Sequence, residues 1–102
     1  MKVIYTDEAL RDLDEILAFL ADNYPTLILP LQQRLRSIER RIARWPKSAP
    51  EIEQRPGIHV VPFIQYPYKL FYQVAHGSIE VLHIYHAARR QPWDDETAAP
   101  SS

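Results

Sequence analysis

Two arginines and a tryptophan follow closely on the last apolar stretch of the sequence, where their side chains could bind a partner. Arg89, Arg90 and Trp93 come after a stretch that ends in Tyr85-His86. Arginine and tryptophan are among the residue types most often found as energetic anchors of protein interfaces. A plainer interpretation is that Trp93 packs back on the domain while the arginines only increase its solubility. Residue types alone leave both interpretations open.

Two histidines near the same end of the chain are candidate metal ligands. His83 and His86 are three positions apart, and on a β-strand such positions point to opposite faces. The two rings therefore cannot easily share one ion, and the chain has no cysteine to supply thiolate ligands. Two glycines are too few for a phosphate-binding loop. We expect neither a metal nor an organic cofactor.

A β-hairpin is predicted immediately before these arginines. Residues 66–74 and 79–86 are rich in β-branched and aromatic residues and flank a short polar loop with one glycine, which is typical of two strands joined by a turn. Alternation along the second strand divides its side chains between two faces. We expect Leu82, Ile84 and His86 on one face and Val81, His83 and Tyr85 on the other.

A first amphipathic helix is predicted after a short strand candidate, residues 2–5. Thr6 is its candidate N-cap, and acidic residues follow in the first turn, where the helix dipole favours anions. Leucines and isoleucines at helical spacing predict the helix over residues 7–22. The residue before Pro25 is disfavoured in a helix, so the helix should end there.

A second helix is predicted between this point and Pro46. Its apolar residues follow in steps of three and four from Leu31 to Trp45. Its start is open, since Thr26 could cap it or Pro30 could be its first residue. The short connection to the first helix predicts an antiparallel helical hairpin.

The complete pattern predicts one α+β domain over residues 1–93. A further strand at 58–64 contains Pro62, which favours an edge position or a bulge. The order β-α-α-β-β-β places an antiparallel helical hairpin on one face of a mostly antiparallel four-stranded sheet. Residues 94–102 are acidic and small, and we expect them to form a disordered tail.

A single helical layer covers only one face of such a sheet. Phe63 and Phe71 alternate away from the predicted core-facing positions. Exposed apolar surface of this kind usually marks a binding site for a partner. We therefore expect Phe63 and Phe71 to contact another protein.

Charge is unevenly distributed along a chain whose net charge is −1. The first helix is acidic, whereas the second is strongly basic and contains Glu39 alone as an acid. Such a basic helix could bind nucleic acid, but no aromatic residue is interleaved among its arginines. We interpret it as a solvated face that the first helix partly neutralises. Its arginines are Arg34, Arg36, Arg40, Arg41 and Arg44.

No apolar run approaches the roughly 18–20 residues that a membrane-spanning helix requires. No basic and then apolar leader precedes the predicted fold. We therefore expect no membrane partner and, by default, a cytoplasmic location.

Several short motifs occur in an order that matches a known family. They are Val3-Ile4-Tyr5-Thr6-Asp7-Glu8-Ala9 with Asp12-Leu13, then Tyr66-Pro67-Tyr68, the strand around Tyr72, and His86-Ala87-Ala88-Arg89. Over residues 2–93 the chain resembles the ParE branch of the RelE/ParE toxins of bacterial type II toxin–antitoxin systems. The resemblance implies neutralisation by a ParD-like antitoxin and inhibition of DNA gyrase through binding. Arg89, Arg90 and Trp93 are then the candidate gyrase-contacting residues, and no sequence-specific DNA binding is expected of this chain alone.

The other activity in that superfamily is the cutting of messenger RNA on the ribosome. RelE-type members use lysines and arginines on the sheet together with a C-terminal tyrosine. Lys69 and Arg89 match basic positions and His59 could act as a base, but the strand 58–62 has no lysine and no tyrosine follows Arg90. A ribosome-dependent endoribonuclease using His59, Lys69 and Arg89 is thus the alternative. An inactive relative that only binds antitoxin is the third possibility.

Overall fold

Two helices pack against a five-stranded sheet in residues 1–88, the part of the chain that the computed structural model describes. The sheet order is β1-β5-β4-β3-β2, in which β1 is parallel to β5 and the other neighbours are antiparallel. In chain order the elements are β1 (Lys2–Tyr5), α1 (Asp7–Asn23), a 3-10 turn (Pro25–Leu27), α2 (Ile28–Arg44), β2 (Glu51–Ile52), β3 (Arg55–Pro62), β4 (Tyr68–Ala75) and β5 (Ser78–His86).

The predicted α+β class with a helical pair on one face is confirmed, and the strand count is corrected from four to five. The additional strand is β2, which lies where the sequence analysis predicts no strand, and it pairs with β3. Two residues carry no periodic pattern, so sequence alone could not identify it. Pro62 is the last residue of β3, where its missing N–H removes little from the ladder.

Both helices follow the predicted periodicity, but the start of α2 differs from both alternatives. Thr6 caps α1 as expected, its hydroxyl accepting from the N–H of Ala9 at 3.1 Å. The chain after α1 forms a 3-10 turn that contains Thr26, and α2 begins directly at Ile28. Pro30 is therefore the third helical residue. A proline is tolerated there because N–H groups of the first turn have no partner within the helix.

A bulge in β5 changes which of its side chains face the helices. Phe71 pairs with His83 and Tyr72 with Val81, so Leu82 has no partner in β4. The alternation shifts by one residue at this point. Val81 and Ile84 consequently both belong to the helix-facing core, and the prediction that they lie on opposite faces is wrong.

Thr6 and the first half of α1 contact β5 at this bulge. Beyond its pairing with β1, the edge of β5 is covered by Thr6, whose hydroxyl donates to the carbonyls of Val81 and Leu82. The carboxylate of Asp12 then accepts from the backbone N–H of Ile84 at 3.1 Å and lies 3.3 Å from Nδ1 of His83. Thr6 and Asp12 thus satisfy a part of this edge that none of the strands within residues 1–88 covers.

Replacing Asp12 by alanine is expected to destabilise the fold by about 1–3 kcal/mol, because the N–H of Ile84 loses its acceptor. Chemical denaturation of the two proteins would measure this difference. Asp12→Asn is the matched control, since it keeps an oxygen acceptor and loses only the charge, and it should be closer to the wild type. Equal stability of the alanine variant and the wild type would contradict this role of Asp12.

Within residues 1–88, no helix combines the length and apolar character needed to cross a membrane.

Candidate binding surfaces

An apolar groove of about 440 Å³ lies between the C-terminal half of α1 and the hairpin. Ile16 and Leu20 of α1 line it, together with residues of the 3-10 turn and of the loop between β3 and β4. Among residues 1–88, Glu15 is the one carboxylate that lines it. We call it the α1 groove. Its other principal side chains are Phe19, Tyr24, Leu27, Tyr66, Tyr68 and His86.

Aromatic packing shapes this groove and leaves its outer wall exposed. Phe19 is 53% exposed, and its ring lies 6.2 Å from that of Tyr24. On the opposite wall the ring of Tyr68 meets His86 edge-on at 5.6 Å. Burial raises the pKa of the Tyr68 hydroxyl. A partner that inserts apolar side chains here would cover aromatic surface that water now contacts.

Sequence reasoning did not identify the α1 groove. Phe19 lies beside the main apolar stripe of α1, and Tyr24 is the residue before Pro25 at the predicted end of the helix. An exposed aromatic residue next to a helix end was the available signal. The concave shape depends on the β3–β4 loop, which approaches only through tertiary folding.

The prediction that Phe63 and Phe71 are exposed is wrong. Phe63 is 2% exposed and belongs to the helix-facing core. Phe71 is also 2% exposed and forms a smaller cluster with Tyr85, their ring centroids 5.8 Å apart. Both side chains contribute to the stability of the domain, so neither offers the free apolar surface that was expected.

His59, the candidate base of a ribonuclease, is buried and takes part in contacts that stabilise the fold. It is 7% exposed, and its ring stacks on Tyr72 with centroids 4.9 Å apart. Its Nδ1 lies 2.7 Å from the carbonyl oxygen of Ala49. Since a carbonyl can only accept, Nδ1 carries the proton. The hydroxyl of Tyr72 in turn donates to the carbonyl of Pro46 at 2.6 Å, so both side chains anchor the connection after α2.

Lys69 lies on the other face of the sheet from His59. His59 pairs with Tyr72 in the β3–β4 ladder, and paired residues share a face. Lys69 is three residues from Tyr72 on a regular strand, so it points away from the helices. Two of the three residues named for a ribonuclease site are therefore separated by the sheet. The third, Arg89, lies outside the described residues.

The segment that follows β5 begins beside the α1 groove. The N–H of Ala87 donates to the carbonyl of Pro67, which fixes the chain just after His86. Arg89, Arg90 and Trp93, the candidate target-contacting residues, lie outside the described residues, as does the predicted tail 94–102. Their proposed role stays a prediction.

The arginines of α2 are not neutralised by the acidic residues of α1, contrary to the interpretation from the sequence. Among residues 1–88, no carboxylate lies within ion-pair distance of the arginines of α2. Glu39 instead accepts a hydrogen bond from the hydroxyl of Tyr5. Trp45, expected on the apolar face of the helix, is 55% exposed at its C-terminal end.

Comparisons with known proteins give one family and one fold. The model of the family described as the ParE toxin of the type II toxin–antitoxin system, parDE, matches residues 3–91. A structure titled as the chromosomal ParDE TA system from P. aeruginosa is similar with a TM-score of 0.72 and 20% identity, over 84% of this chain and 95% of that chain. The isolated E. coli RelE toxin is similar with a TM-score of 0.56 and 16% identity, over 97% of each chain. No curated protein sequence matches the chain.

Proposed function

The chain belongs to the ParE toxin family of type II toxin–antitoxin systems, and we propose that it inhibits DNA gyrase and is neutralised by a cognate ParD-like antitoxin. Both encounters take place in the bacterial cytoplasm under this proposal. The toxin acts by occupying a surface of gyrase and performs no reaction of its own.

The separation of His59 from Lys69 is the observation that best supports a binding mechanism. Cutting RNA at a phosphate requires a base near the ribose 2′-hydroxyl and cations at the phosphate, all within reach of one site. Here the imidazole is buried against Tyr72 and hydrogen-bonded to the carbonyl of Ala49, while the ammonium lies on the opposite face of the sheet. A binding surface needs no such convergence, so this arrangement favours gyrase over messenger RNA.

The α1 groove is the surface that best fits the antitoxin. Its walls are apolar and aromatic, and its exposed rings match the residue types that dominate interface energetics. The groove suits an amphipathic helix or extended segment that inserts two or three apolar side chains. Glu15 at the rim and the acidic outer face of α1 favour a segment with lysine or arginine beside those side chains.

Induction of the toxin without antitoxin is expected to stop growth through DNA damage. A gyrase poison should leave linearised plasmid covalently linked to gyrase while messenger RNA stays intact. Extraction of plasmid DNA under denaturing conditions, with parallel analysis of transcripts, would measure both quantities. Rapid loss of translation with cleaved messages would instead favour the ribosome-dependent endoribonuclease, and unimpaired growth would favour an inactive relative.

Co-expression of the antitoxin serves as the control for this experiment. It should restore growth and remove the gyrase-linked DNA, since the antitoxin withdraws the toxin by mass action. Damage that persists at equal antitoxin expression would contradict the proposed pairing.

A further inference from the structure

The outer side of α2 presents a row of cations that ends at an exposed aromatic ring. Arg36, Arg40 and Arg44 follow at intervals of four residues and are exposed, so they lie along one line of the helix. Trp45 and Lys47 follow directly after Arg44 at the end of the helix and are exposed as well. We call these five residues the basic helix face.

Charge on the basic helix face is not compensated by the rest of the described chain. No carboxylate of residues 1–88 lies within 4.0 Å of the guanidinium groups of Arg36, Arg40 or Arg44. Arg34 and Arg41, seven residues apart, lie on a neighbouring side of α2 beside Val61 and Pro62 and are not part of this line. The C-terminal end of the helix dipole attracts the cations of the last turn only, Arg41 and Arg44. Arg36 lies two turns earlier, so the dipole does not account for it.

Trp45 offers a flat surface next to these cations. The guanidinium carbon of Arg44 lies 4.7 Å from the centre of its ring and covers one side. The remainder of the ring borders an apolar depression of about 640 Å³ between Met1, Pro46 and Val74. Arg44 thus holds the ring in place while more than half of Trp45 stays open to a ligand.

We propose that the basic helix face binds single-stranded nucleic acid without sequence preference, with the arginines on phosphates and a base stacked on Trp45. Aromatic rings beside a row of cations are the features by which proteins bind unpaired strands. An acidic protein would be attracted by the charges but would leave the ring without a specific role. This binding does not depend on gyrase and goes beyond the toxin activity proposed above.

Binding of a fluorescently labelled 20-nucleotide oligothymidine to the full chain tests the proposal. Affinity should fall steeply with salt. If four cations contact phosphates, the slope of log K against log salt concentration should be about −3 for a single strand. In the Trp93→Phe variant Trp45 is the only tryptophan of the sequence, and its fluorescence should be quenched on binding.

Point variants separate the two parts of the surface. Trp45→Ala should weaken binding about tenfold or more at constant salt slope, whereas Trp45→Phe should retain most of the affinity. Arg40→Ala should weaken binding and reduce the magnitude of the slope by about 0.7. Arg11→Ala is the matched control, because it removes one exposed arginine from α1 and should change neither quantity.

Three outcomes would overturn the proposal. They are binding without salt dependence, unchanged affinity of Trp45→Ala, and displacement of the oligonucleotide by polyglutamate as effectively as by unlabelled oligonucleotide. Displacement by polyglutamate would indicate that the basic helix face binds an acidic protein instead. Gyrase is absent from this experiment. A negative result would therefore not contradict the proposed gyrase inhibition, and a toxin that does not inhibit gyrase could still bind the oligonucleotide.

Discussion

Replacing Phe19 by aspartate is expected to weaken antitoxin binding at least about a hundredfold while the toxin remains folded. Phe19 is exposed on the outer wall of the α1 groove, so its loss removes little core packing. In the complex, the new carboxylate would be buried against apolar side chains and close to Glu15. Loss of an aromatic anchor typically costs about 2 kcal/mol or more, and an unpaired buried charge adds to that.

Calorimetric titration of toxin with antitoxin measures the effect, and growth during co-expression reports it in cells. The Phe19→Asp toxin should stay toxic when the antitoxin is present, because it escapes neutralisation. Leu29→Asp is the matched control, since Leu29 is equally exposed but does not line the groove. It lies in the first turn of α2, where a carboxylate is tolerated by the helix dipole. Similar losses in both variants would refute the assignment of the groove.

The local pattern of the sequence is sufficient to predict both helices and the β4–β5 hairpin. The spacing of apolar residues and the cap at Thr6 predict α1, and the same periodicity predicts α2 up to its end before Pro46. The hairpin follows from two β-rich stretches around Gly77. Each of these signals lies within about a dozen residues, where helix and strand periods are visible.

The assignment of faces in β5 required information from a distant part of the chain. Leu82 lies in a bulge that Thr6 and Asp12 stabilise from more than 70 residues away. Inserting one unpaired residue reverses every later side chain. Strict alternation therefore placed Val81 and Ile84 on opposite faces although both are buried in the same core.

Exposure was equally difficult to predict from residue type. Phe63 continues the helix-facing alternation of β3 and is buried, whereas Trp45 continues the helical spacing of α2 and is exposed. The cause lies in the chain after Arg44, where α2 ends and the segment from Pro46 turns toward β2. In the described part of the chain, no helix or strand then covers the indole ring. Tertiary connections of this kind decide which aromatic residues form core and which form binding surfaces.

Replacing Arg89, Arg90 and Trp93 together by alanine is expected to abolish gyrase inhibition and leave antitoxin binding unchanged. A desolvated arginine or tryptophan anchor contributes about 2 kcal/mol or more, so each single change should lower the inhibitory potency roughly 30-fold. Supercoiling assays with purified gyrase measure potency, calorimetry measures antitoxin affinity, and thermal unfolding monitors the fold. Retention of full toxicity by all three single variants, or unfolding caused by Arg89→Ala, would refute the assignment.

The double variant His59→Asn, Lys69→Ala distinguishes this mechanism from a ribonuclease. Asparagine can place an N–H near the position of the histidine Nδ1, so the hydrogen bond to the carbonyl of Ala49 has a replacement donor. The change removes Nε2, which a base would need, and the second change removes the ammonium group across the sheet. A gyrase poison should remain as toxic as the wild type because neither side chain belongs to its contact surface. A ribonuclease that used both residues would cleave RNA about 10²-fold or more slowly from loss of the base alone. Such a loss would favour the ribosome-dependent endoribonuclease over the gyrase inhibitor.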